Sequence, residues 1–98
     1  MENKIKTCKR GMFLLGVLTK MLIDRQVIQE VPCFKLDNFE ETVRSFLLQL
    51  QKQKLQSEEE LLLVEITKCL LKAGEWWETS TSFLNFCFIS GVILGKQK

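Results

Sequence analysis

No charged residue occurs between Thr79 and Gly95, in a chain of which 27% is charged. A helix drawn from such a stretch has no polar stripe to offer water, so it must be covered by lipid or by the rest of the chain. Its Thr, Ser and Asn content, and a length below the roughly 20 apolar residues of a membrane span, point to burial in a bundle of helices. Any of Thr79, Ser80, Thr81 or Ser82 can cap this last helix, which reaches Gly95.

The rest of the chain repeats the helical period. From Gly11 to about Ile28 good helix formers place Leu14, Leu18, Met21 and Ile28 at helical spacing, apolar almost all round at the start, as in a central helix. Pro32 interrupts the pattern, so Val31 to Leu36 reads as a connector. Asp37 and Glu40 have the spacing of a capping box, followed by Phe39, Val43, Phe46, Leu47 and Leu50 on one face of a helix running to about Lys54. Ser57 and Glu60 repeat that spacing. A third helix follows with Leu62, Ile66, Cys69 and Ala73 inward, Glu65, Lys68 and Lys72 outward, and Gly74 as its stop. The expected fold is therefore all-α: residues 1–98 form one compact bundle of about four helices, preceded by a partly flexible basic segment, 1–10. The first and last helices are expected at its centre. Gly11 and Gly16 in one, with Gly91 and Gly95 in the other, predict that these two cross at close range.

Lys4, Lys6, Lys9 and Arg10 ahead of Gly11 to Leu18 imitate a secretory signal. Lys20 interrupts the apolar run and no small-x-small cleavage site follows, so a core helix is the better account and a cytoplasmic protein the expectation.

Composition narrows the chemistry. The sequence contains no histidine, the commonest general base and metal ligand. Cys8, Cys33, Cys69 and Cys87 include no close Cys-x-x-Cys pair, and are read as reduced, buried or incidental thiols. We therefore expect no enzyme, no metal, no cofactor and no small-molecule substrate. A net charge of +2 leaves any affinity for nucleic acid to local clusters: Lys6, Lys9 and Arg10; Lys52 and Lys54 at a helix end; Lys68 and Lys72 four apart on a helix face. Glu65 offers Lys68 an ion pair. Trp76 and Trp77 can stack on bases, but Glu75 and Glu78 bracket them and repel phosphates, so packing or anchoring a partner is favoured, with at least one tryptophan substantially buried.

Three blocks in order, GMFLLGVLTKMLIDRQ (11–26), VPCFKLDNFEE (31–41) and LLKAGEWWETSTSFLNFCFISGVILG (70–95), carry a resemblance. The chain resembles the C-terminal helical part of the large subunit of type I CRISPR Cascade complexes, which is also made separately as the small subunit. Subtype I-B is the nearest, with I-D beside it. The carriers are Phe13 to Leu18 with Gln26, Pro32 to Phe34, Ala73 and Gly74 with Trp77, and Phe86, Phe88 and Gly91. The resemblance implies a non-enzymatic subunit that braces the guide RNA–target DNA duplex and contacts displaced DNA through the backbone. Its partners would be other Cascade subunits, further copies of itself, the guide RNA and both DNA strands, with no membrane. On it, Lys9, Arg10, Lys20, Lys52, Lys54, Lys68 and Lys72 become candidate phosphate contacts, with Trp76 and Trp77 as partner contacts. The competing expectation is a helical protein-interaction module with no nucleic-acid role.

Overall fold

A computed structural model describes residues 2–71 and 81–95, without the side chains of residues 2–5, 36 and 71. Four α-helices and one short 3-10 turn make up the described fold, which is all-α with no strand among those residues. The helices are α1 (Glu2–Asp24), α2 (Phe39–Gln51), α3 (Ser57–Leu71) and α4 (Thr81–Leu94), with the 3-10 turn at Leu36–Asn38. The radius of gyration, 12.4 Å, is that of a single compact unit of this length.

α1 lies between α3 and α4. It starts nine residues before the expected Gly11, so the basic segment from Glu2 to Arg10 is part of it. Cys8, Met12, Leu15, Leu18 and Leu22 are its innermost residues, all fully buried, whereas Leu14 and Met21 are only half-buried. Buried Thr19 satisfies its hydroxyl by donating to the Leu15 carbonyl at 2.7 Å.

α1 also ends early, at Asp24 rather than near Ile28. Gln26 takes the left-handed conformation, φ 65°. The Val27 N–H then reaches back to the Leu22 carbonyl at 2.8 Å and the Gln26 N–H to Ile23 at 2.9 Å. This is the Schellman closure usually built on glycine. No glycine marks the place, which is why the apolar spacing alone runs past it.

Two contact types hold α1. Against α3 it is antiparallel: Gly11 faces Cys69 and Leu70, and fourteen residues on, Arg25 reaches Glu59. Against α4 it is parallel: Lys9 lies over Phe83, Gly16 against Gly91 and Val17 against Gly95. A Cβ on Gly16 would stand 2.9 Å from the Gly91 Cα and run into the Phe88 carbonyl. The expected close crossing is thus present, backbone on backbone, at Gly16 and Gly91; Gly11 serves the α3 side instead.

α2 is held by rings rather than by backbone approach. Phe34, in the connector, meets Phe39 and Phe46 of α2 edge-on at 5.8 Å and Phe88 of α4 at 4.8 Å. Phe39, Val43, Phe46 and Leu50 are the buried face of α2, as their spacing predicts.

Neither expected capping box forms. α2 begins at Phe39 behind Asn38, which makes no side-chain cap, and Glu40 pairs with Arg44 at 2.6 Å. At α3 the reach-back comes from Glu59, not Glu60: its carboxylate accepts the Gln56 N–H at 2.8 Å. The inner stripe of α3 accordingly runs through Glu59, Leu63, Ile66, Cys69 and Leu70, with Leu62 half-buried.

Candidate functional site: the uncovered face of α4

α4 departs from its expected place at the centre. Leu84, Phe88 and Gly91 face α1 and Phe34 and are buried, but the opposite face is open. Phe86 is 65% exposed, Ile93 62%, Phe83 46%, Leu94 45% and Ile89 38%. A helix without charge therefore presents an apolar stripe to the outside. Among the described helices it is α1 that packs against both α3 and α4, while α4 is covered only on the side of α1 and Phe34.

Beside this stripe a groove of about 650 Å³ opens between α1, α3 and the end of α4. Val17, Met21, Leu61 and Leu62 line its apolar part, and Glu58 and Glu65 are polar members. A second groove, of about 450 Å³, lies between the end of α2 and α3 and includes Gln51, Gln53, Leu63 and Lys68.

The basic candidates do not converge on one face. Lys9 is half-buried, its ammonium 4.4 Å from the centre of the Phe83 ring. Arg10 lies 3.9 Å from Glu65, both side chains well exposed, so Glu65 faces Arg10 where Lys68 was expected. Lys20 pairs with Asp24 at 3.4 Å on the α4 side of α1. Lys52 caps α2 and Lys54 precedes α3, both exposed near the C-terminal end of α1, where Arg25 donates to the Lys54 carbonyl at 3.3 Å. Lys68, also exposed, lies on α3 near the opposite end. Lys72, Trp76 and Trp77 fall outside the described residues, as do Ala73 and Gly74.

One polar site escapes the sequence reading. Glu59, 1% exposed, accepts two hydrogen bonds from the Arg25 guanidinium, each 2.7 Å, and a third from Gln56. Arg25's hydrogen bonds, helped by that N–H and opposed by burial, hold the Glu59 carboxyl below its ordinary value. Among Glu58, Glu59 and Glu60 nothing local singles out the middle one; only its helical register with Leu63 and Ile66 puts it inward.

Cys8, Cys69 and Cys87 lie on α1, α3 and α4, and Cys33 is exposed in the connector. Burial, with Cys87 and Cys69 close by, pushes the Cys8 thiol up to about 12, the reverse of an activated nucleophile. No disulfide joins the four cysteines, and among the described residues no group of three or more metal-ligating side chains is placed to hold an ion. No helix among those residues is long and apolar enough to cross a membrane.

Comparison with protein families, curated proteins and solved structures finds no match to this chain.

Proposed function

We propose that this chain is a non-enzymatic subunit of a larger assembly, and that the assembly is an RNA-guided complex of the type I CRISPR Cascade kind. The observation that carries the assembly reading is the open apolar face of α4, which leaves a charge-free helix half uncovered. Such a face costs solubility, and a partner that covers it would remove that cost.

The finer reading rests on the sequence resemblance. Of its carriers, Gly16 packs on Gly91 and Phe34 on Phe88, while Phe86 and Gln26 are exposed. In this role Lys9, Arg10, Lys20, Lys52, Lys54, Lys68 and Lys72 contact phosphates, while base pairing within the guide–target duplex reads sequence. Charges distributed along a rigid bundle suit a backbone running over it, but not a compact site.

A second reading, a protein-interaction module with no nucleic-acid role, is favoured by the engagement of Lys9 with Phe83, Arg10 with Glu65 and Lys20 with Asp24. The two separate by binding of labelled single-stranded DNA, duplex DNA and RNA across a salt titration. The subunit reading expects salt-sensitive, sequence-independent binding that charge reversal at Lys52, Lys54, Lys68 and Lys72 removes. Absence of binding at low salt would rank the interaction module first.

A further inference from the structure

Leu61, Leu62, Leu63 and Val64 are consecutive apolar residues on α3, and a helix cannot turn all of them inward. Leu63 is buried, whereas Val64 is 51% exposed, and both line the groove of about 450 Å³ between the end of α2 and α3. Leu55, half-buried in the loop ahead of α3, completes its apolar floor. Glu60 stands on the groove before this apolar pair and Lys68 after it, both exposed. We propose that the groove binds a short apolar peptide with free termini, its ammonium on Glu60 and its carboxylate on Lys68. No residue of this groove belongs to α4, so the inference goes beyond the subunit reading and does not rest on it.

Three observations select that ligand. The first is charge. Among the described residues the ion pairs join Arg10 to Glu65, Lys20 to Asp24, Arg25 to Glu59 and Arg44 to Glu40, which leaves Glu60 and Lys68 without a counter-charge. They do not serve each other, because eight residues of helix set them about 12 Å apart along its axis, beyond the spacing at which helical side chains meet. Lys52 and Lys54, in the neighbouring loop, do not line the groove, so its two ends keep opposite signs.

The second is length. An extended chain covers about 3.4 Å per residue, so three residues run from one charge to the other. The third is the lining, an apolar floor with its charges confined to the ends and a volume within the range of small-ligand sites. A ligand with a single charge, an aliphatic acid or amine, would lay its apolar tail against whichever of Glu60 and Lys68 it does not pair.

The test is titration of the isotope-labelled 98-residue chain with Leu-Val-Leu, followed by amide NMR. N-acetyl-Leu-Val-Leu, Leu-Val-Leu amide and decanoate serve as comparison ligands, and Glu60→Gln, Lys68→Met and Val64→Thr as variants. All three positions are exposed, and circular dichroism checks that helix content is unchanged. The expected result is saturable binding that shifts the amides of Leu55 and Val64, with a dissociation constant that rises about two- to fivefold when either terminus is blocked, as for an exposed ion pair. Glu60→Gln should reproduce the effect of acetylation and then be indifferent to it, Lys68→Met should do the same for amidation, and Val64→Thr should weaken every ligand. Absence of saturable shifts at millimolar peptide overturns the proposal. So does binding indifferent to both blocked termini, or decanoate bound as tightly as the peptide. None of these outcomes decides the nucleic-acid titration, so the peptide site and the subunit reading fail separately.

Discussion

Phe88 and Phe86 stand two residues apart on one helix, and their surroundings are opposite. Phe88 is fully buried beside Phe34 and the Gly16–Gly91 crossing; Phe86 is 65% exposed. Composition cannot tell them apart, since both sit in the same uncharged segment. The difference teaches that one face of α4 holds this fold together and that the other is left uncovered by it.

The largest effects should come from the inner face. Gly91→Ala forces a Cβ into the Phe13 carbonyl, and Gly16→Ala one into the Phe88 carbonyl, backbone atoms that cannot move without parting the helices. We expect each to cost about 3 kcal/mol or more, seen as loss of the cooperative thermal transition or a large drop in Tm. Gly11→Ala sharpens the point: it meets no backbone atom but the Leu70 side chain, which can yield, and the Cys69 Cβ, which moves only with its helix, so a smaller loss is expected.

Next comes Phe34→Ala, which removes the ring shared by α2 and α4 and should cost about 3–4 kcal/mol in chemical denaturation. On the far flank, Glu59→Gln leaves both faces of α4 alone and should cost about 2 kcal/mol by loosening α1 from α3. Because Glu59 titrates below its ordinary 4.5 in the folded chain, its contribution is fully present above that pH and is lost as pH falls through the lower folded value. The Gln variant should lack that part of the acid-induced loss in a denaturation series from neutral pH downward.

The smallest effect expected is a gain. Gln26→Gly relieves a side chain held at φ 65° and should stabilise by about 0.5–1 kcal/mol, read as a higher denaturation midpoint.

Legibility followed the range of each interaction. Periodicity is enough for the four described helices and for the buried face of α2, and the paired glycines mark the crossing of α1 and α4. Features set by distant partners were not legible. The end of α1 depends on a non-glycine residue in the left-handed region, and the burial of Glu59 on Arg25, thirty-four residues away. The open face of α4 depended on which helix takes the middle place. Apolarity predicts burial for segment 79–95, but a uniformly apolar segment carries no mark that separates the face on α1 and Phe34 from the face left open.

Thermal denaturation of Phe86→Ala against Phe88→Ala, in dilute solution where copies do not meet, tests the central claim most directly. An uncovered outer face predicts a Tm within a few degrees of the parent chain for Phe86→Ala, and a fall on the order of 15 °C or more for Phe88→Ala. Equal destabilisation by the two would contradict it, showing that the chain itself covers both faces of α4.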